Sequence, residues 1–176
     1  MDTLTTLKTR RSCRKFSSKQ VEEEKLSLIL EAGTYAPTGM GKQSPIIICV
    51  TDKKTRDELS KINCRIGGWP EGFDPFYGAQ TILIVLADKD ISTYIYDGSL
   101  VMGNLMNAAT AVGVDNIWIH RAKEEFESEE GKQLLKSLGI EGNYEGIGHV
   151  ALGYEEEGNK KAVAAARKSD YIYYIK

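Results

Sequence analysis

Two stretches of the chain are apolar almost without interruption. Ile46, Ile47, Ile48, Cys49 and Val50 follow Pro45, and Ile82, Leu83, Ile84, Val85, Leu86 and Ala87 follow Thr81. Neither alternates with polar positions as a strand with one wet face does, so both are expected mid-sheet, covered on two faces, over residues 45–51 and 81–87. Elsewhere the period is helical. Leu26, Ile29 and Leu30 repeat at helical spacing behind an acidic first turn, which predicts a helix over residues 22–32 closed by Gly33. Asp52 is placed to cap a helix over residues 53–63, and a short helix is expected over residues 3–9. From 94 to 112 there is little polar face: Leu100, Val101, Met102, Leu105, Met106 and Ala109 leave a helix that must be buried between layers or between subunits, ended by Gly113. A further helix over residues 128–138 stops at Gly139, and short strands are expected at 116–120, 147–152 and 171–175.

This order predicts an α+β fold, a mixed central sheet flanked by helices, as one domain over residues 1–176. The strand at 171–175 stands apart, behind a tail of small residues at 162–166. Such an arm favours pairing with a distant edge, including one on a partner chain.

Composition narrows the function. Hydrophobic residues make up 41% and charged residues 27%, the balance of an ordinary globule, and the net charge of −2 supplies no global field for nucleic acid. No apolar run approaches the roughly 20 residues that span a bilayer, so no membrane association is expected. Cys13, Cys49 and Cys64 form no CxxC pair, and with only His120 and His149 there is no spacing suited to a metal site. An odd cysteine count without a leader points to a reducing, cytoplasmic setting. A chain of this size would hold a large planar ligand in a cleft or a subunit interface rather than enclose it.

Four clusters carry candidate chemistry. Arg10, Arg11, Ser12 and Arg14 place three guanidiniums and a hydroxyl where a helix gives way to loop, a donor set suited to phosphate. A solvated basic turn paired with Glu22, Glu23 and Glu24 is the competing and more ordinary explanation. The turn Ala36-Pro37-Thr38-Gly39-Met40-Gly41-Lys42-Gln43 would let backbone approach a flat ligand, with Thr38 and Gln43 as polar contacts. It matches neither a Walker loop nor a dinucleotide fingerprint, and an ordinary helix-to-strand connection explains it equally well. Trp118, Ile119, His120 and Arg121 end a short strand, where backbone amides could hold a heteroaromatic edge; a buried Trp beside a surface His-Arg pair is the plain alternative. Arg167 and Lys168 form a last basic pair before the terminal strand.

Taken together these clusters resemble the nitroreductase family. The resemblance runs through Arg10-Arg11-Ser12-x-Arg14-x-Phe16, Ala36-Pro37-Thr38 with Gln43, Tyr77-Gly78-Ala79 before a strand, Asp97-Gly98 on a long helix, Trp118-Ile119-His120-Arg121, Gly146-Ile147-Gly148-His149, Ala151-Leu152-Gly153-Tyr154 and Arg167. It covers nearly the whole chain, and the order and spacing of the motifs carry it more than any one of them. It implies an intertwined homodimer with FMN at the subunit interface. Arg10, Ser12 and Arg14, with Arg11 beside them, would hold the phosphate and ribityl chain, and Arg167 would meet the same phosphate. Pro37, Thr38 and Gly39, with Gln43 ending their turn, would come from the other subunit, and Trp118, Ile119, His120 and Arg121 would line the flavin ring.

The implied activity is FMN-dependent reduction of nitro compounds, quinones or similar small acceptors by NADH or NADPH, in a ping-pong cycle. The flavin would carry the chemistry, with no catalytic residue of fixed identity and His120 or Arg121 as groups that could steady charge near the ring. A flavin-binding protein of the same fold with other redox chemistry, or with a sensor role, is the alternative. Gly41 stands where the family often has Asn, Ser44-Pro45 where it has Pro-Trp, and Ala165 where a second basic residue is common. These departures bear on the ribityl and phosphate contacts.

Overall fold

The computed structural model describes residues 2–159 and 162–176. Its helices are α1 (Thr3–Thr9), α2 (Glu23–Thr34), α3 (Lys53–Gly67), α4 (Tyr94–Ala111), α5 (Ala122–Glu127) and α6 (Glu129–Ser137). The strands are β1 (Pro45–Val50), β2 (Thr81–Asp88), β3 (Asp115–Ile119) and β4 (Tyr144–Gly153). They form one sheet in the order β1-β2-β4-β3. Every ladder is antiparallel, where a mixed sheet was expected; the parallel contact is a single bridge, Ser12 to Asn116.

β2 is the centre of the molecule. Ile82, Ile84 and Leu86 point to a core shared with Leu59 of α3 and Phe126 of α5. Leu83 and Val85 point to a second core with Ile29 of α2 and Met102 and Leu105 of α4. Helices on both faces explain why β2 is apolar at successive positions, as its sequence implied. β1 corrects the same expectation. It is an edge strand in this chain, only partly buried, with Cys49 exposed. Apolarity alone does not distinguish a strand covered by its own helices from one whose outer side is left open.

Gly33 also differs from its expected role. It lies inside α2, and a Cβ there would stand 2.6 Å from Leu105 Cδ2 and 2.9 Å from Ile47 Cδ1. Its use is close approach of α2 to α4 and β1, and the helix runs on to a cap at Tyr35. α3 continues past the expected residue 63 to Gly67, where Gly68 closes it in the left-handed conformation. α5 was not foreseen, because its six residues are too few to establish a period. Residues 171–175 form no strand in this chain; Tyr171, Ile172, Tyr173, Tyr174 and Ile175 are all largely exposed.

A register shift in the β2–β4 ladder between Val85 and Leu86 leaves Ile147 as an extra residue on β4. The bulge seats Ile147 under Gly98 of α4, where a Cβ would come within 2.5 Å of Ile147 Cγ1. Gly146 lies against α5, where a Cβ would stand 2.2 Å from the Ala122 carbonyl oxygen. These two glycines therefore set how closely α4 and α5 approach the end of the sheet.

Candidate functional site

The arginine turn is fixed to the sheet through β3. Asp2 caps α1 by accepting from the Thr5 N–H, and the helix gives way to extended chain at Arg10. The Cys13 N–H then donates to the Asn116 carbonyl at 3.0 Å. Asn116 is fully buried, and its side-chain amide donates to Met106 O and Thr110 Oγ1, both at 3.0 Å, while its oxygen faces Arg10 Nη1 at 3.5 Å. Asn116 thus locks the turn to β3 and α4, a role that its sequence context does not reveal.

Arg10, Arg11, Ser12, Arg14 and Arg167 converge on one cleft of about 730 Å³, together with Lys8. The paired-turn explanation fails on this geometry. Glu22 is taken by Lys19, Lys25 and the Tyr154 hydroxyl, and among the described residues no ion pair involves Arg10, Arg11, Arg14 or Arg167. Burial, and then the charge of Arg11, push the Arg10 guanidinium below its ordinary value, though an arginine remains charged. Four guanidiniums around one cleft, with no ion pair among the described residues, are a donor set suited to an anion.

The turn after α2 is held by a buried carboxylate. Asp97 accepts from the Gly39 N–H at 3.0 Å, Thr93 Oγ1 at 2.9 Å and Ser44 Oγ at 3.3 Å. Thr38 Oγ1 accepts from the Gln43 N–H at 3.0 Å. Met40 and Gln43 take left-handed backbone, at φ 53° and 51°, which side chains other than glycine rarely adopt. Gly39 permits the closure, since a Cβ there would sit 2.3 Å from Thr93 Oγ1. The result is a preset loop that exposes Pro37, Met40, Gly41 and Gln43. Thr38 and Gln43 line a second cleft of about 580 Å³ along β1, which shares no residue with the arginine cleft.

His120 and Arg121 line a third, smaller cleft with Lys123, Glu124 and Ile147 at the far end of β3. Trp118 and Ile119 lie on β3 itself, with Ile119 in one core and Trp118 packed against the other. The Trp118 Nε1 is buried without a hydrogen-bond partner among the described residues. Arg121 has φ 79°, and Asn63 Nδ2 donates to the His120 carbonyl at 2.9 Å. Ser12 and His120 thus mark opposite ends of β3, separated by roughly 13 Å at ~3.3 Å per residue. The sequence-derived candidates therefore fall into three places. The arginine turn joins Arg167, the strand end is whole, and the 37–43 loop lies in a separate cleft.

Comparison with known proteins resolves the family. The family model described as "Nitroreductase family" matches residues 7–65, from α1 through α3. The structure aligns over 100% of both chains with a nitroreductase crystallised with bound FMN from Bacteroides fragilis NCTC 9343, at 30% identity and a TM-score of 0.91. The chain belongs to the nitroreductase family. A second family structure with bound FMN, from Desulfitobacterium hafniense DCB-2, also covers 100% of both chains, at 26% identity and a TM-score of 0.86. An Archaeoglobus fulgidus protein, provisionally named as an NADH dehydrogenase/NAD(P)H nitroreductase, is 29% identical over 154 residues, 85% of this chain and 83% of its own. Among the described residues no helix is long and apolar enough to cross a membrane.

Proposed function

We propose that the protein is an FMN-dependent oxidoreductase that uses NAD(P)H to reduce nitro compounds, quinones or similar small acceptors. The observation that carries this reading is the cleft of four unpaired guanidiniums at one end of β3, in a chain of this family. Arg10, Ser12, Arg14 and Arg167 would hold the FMN phosphate and the start of the ribityl chain, with Arg11 beside them. Arg11 Nη1 now donates to the Lys8 and Arg10 carbonyls, which turns its charge toward its own backbone rather than the centre of the cleft. Trp118, Ile119, His120 and Arg121 would line the ring at the other end of β3, where His120 and Arg121 face the small cleft. Bound there, FMN would supply the redox chemistry, taking two electrons from NAD(P)H and passing them to the acceptor in a ping-pong cycle. The protein's part is placement and a positive environment.

The Pro37, Thr38, Gly39 and Gln43 loop would complete the site from the partner subunit of a homodimer. Two observations support this: the loop is preset but lies in a different cleft of its own chain, and apolar surface is left uncovered. Leu4 and Leu7 of α1, Tyr96 and Leu100 of α4 and the arm at 171–175 are all exposed, more than one chain of this size leaves open without a partner. The arm would then cross to the other subunit and pair there. Sedimentation equilibrium is expected to give twice the chain mass, and a stable monomer that still holds flavin would overturn the shared site. A reducing, cytoplasmic setting belongs to the same reading, on the odd cysteine count of the chain.

The direct test is the visible spectrum of the purified protein during anaerobic addition of NADH or NADPH. Flavin bands that bleach, and return when an acceptor is added, are the expected result. Bands that persist with both donors would refute the NAD(P)H assignment, and protein that takes up no FMN would refute the cofactor.

A further inference from the structure

A cleft of about 820 Å³ lies between α3 and the loop at 67–78, with Trp69 and Phe73 on its wall. The indole of Trp69 is firmly set. Gly67 leaves it room, since a Cβ there would stand 2.4 Å from the indole Cε3. The left-handed Gly68 turns the chain so that the Trp69 N–H donates to the Cys64 carbonyl at 3.2 Å, and the Phe73 ring lies 5.2 Å away.

On the face of this indole rests the Arg121 guanidinium, 4.4 Å from the ring centroid. Arg121 is held in strained, left-handed backbone between two fixed points: Asn63 donates to the carbonyl before it, and its own carbonyl accepts from the Glu125 N–H at 2.9 Å. Asn63 is itself fully buried, and among the described residues its Oδ1 has no hydrogen-bond partner. Among the described residues no carboxylate pairs with Arg121. Its neighbour Lys123 is engaged by Glu145 at 3.2 Å. Asp57 is engaged by Lys53 and Arg56, and Asp74 by Arg56 and Ser60, while Glu124 lines the same small cleft as Arg121 without forming an ion pair with it. Glu71 and Lys61 stand exposed at the rim and offset each other.

We propose that Arg121 and Trp69 form the recognition element for the electron acceptor, and that they select planar aromatic compounds bearing an anionic group such as a carboxylate. This rests on the flavin reading above, which puts residues 118–121 beside the ring. A guanidinium fork matches a carboxylate through two parallel hydrogen bonds, and stacking on the indole keeps the fork flat and oriented before the ligand arrives. Phe73 and the part of Trp69 that Arg121 leaves uncovered supply aromatic surface on the larger cleft for the ligand's own ring, while Arg121 itself lines the smaller cleft with His120. Strained backbone and a guanidinium in no ion pair among the described residues both fit a ligand that completes the arrangement.

The test is calorimetric titration of the FMN-loaded protein with 2-naphthoate and 2-naphthamide, which share a shape and differ in charge. Naphthoate is expected to bind at least about tenfold more tightly. Arg121→Asn suits the backbone, because asparagine tolerates the left-handed region, and it should bring the two affinities within about twofold. Arg121→Lys keeps the charge without the fork and should retain only a minor part of the preference; it also serves if the asparagine variant does not fold. Trp69→Leu should weaken both ligands and narrow the difference. Equal affinities in the unchanged protein, or a preference that survives Arg121→Asn and Arg121→Lys, would overturn the proposal. The visible spectrum of the same samples reports the flavin reading separately, since colourless protein that binds no FMN would refute that reading whatever the naphthoate curves show.

Discussion

Replacing Arg14 and Arg167 together with glutamine is expected to yield colourless protein that folds normally and holds FMN about 10²- to 10⁴-fold more weakly. The range follows from about 1.5–3 kcal/mol for each hydrogen bond to a charged group. This pair is the cleanest probe of the anion cleft, because neither side chain supports the fold. Arg167 donates only to the Ala165 carbonyl within its own segment, at 2.7 Å from Nη2, and Arg14 is exposed with no side-chain partner among the described residues. Arg10 is a poorer choice, since its guanidinium faces Asn116 and a change there would disturb the lock on β3. Flavin fluorescence titration measures the loss, and riboflavin is the internal control. Lacking the phosphate, it should bind the unchanged protein about as weakly as FMN binds the variant, and the variant should not weaken riboflavin further. An unchanged FMN affinity, or an equal loss for riboflavin, would show that these arginines do not read the phosphate.

The second large effect concerns the loop that carries Trp69 and Tyr77. Asp74 accepts from Ser60 Oγ at 2.7 Å, the Gly78 N–H at 2.7 Å and the Phe76 N–H at 3.0 Å, and it pairs with the buried Arg56. Arg56 Nε in turn donates to the Ala79 carbonyl at 2.8 Å. One carboxylate thus ties α3, the aromatic loop and the start of β2 together. Asp74→Asn should destabilise the fold by about 3 kcal/mol, the lower end of the cost of removing one partner from a buried pair, because the Asp74 side chain keeps 31% of its surface. Denaturant unfolding at pH 7 measures it.

The dependence on pH gives a further check. Burial acts to raise the Asp74 carboxyl, but Arg56, Ser60 and the Gly78 N–H outweigh it and hold the carboxyl below its ordinary value. The unfolded chain therefore binds the proton more readily. The stabilisation is fully present above the unfolded carboxylate value of about 3.9 and is lost as the pH falls through the lower folded value. The gap between the unchanged protein and Asp74→Asn should be flat from pH 5 to 8 and shrink below about pH 4. A gap of the same size at pH 3 and pH 7 would mean that the carboxylate charge is not what stabilises the loop.

The sequence by itself determined most of the local order. Pattern and capping residues located α1, α2, α3, α4, α6 and all four paired strands, because burial of one helical stripe or of both faces of a strand leaves a period that can be counted. It also isolated the arginine turn, the 36–43 turn and the strand end at 118–121, because charge, glycine and proline mark them chemically. What it could not determine depends on distance in space. Whether Arg10, Arg11 and Arg14 were neutralised by Glu22, Glu23 and Glu24 was decided only when Lys19, Lys25 and Tyr154 were found to occupy Glu22. β1 read as a central strand and proved to be an edge, since apolar residues awaiting a cover look the same in sequence as those already covered. Gly33 read as a cap and proved to be a point of close approach. Asn116, Asp97, Asn63 and Asp74 are common polar residues with no local signature, and their work is to satisfy backbone groups far away in the chain, which only tertiary structure brings within hydrogen-bond reach.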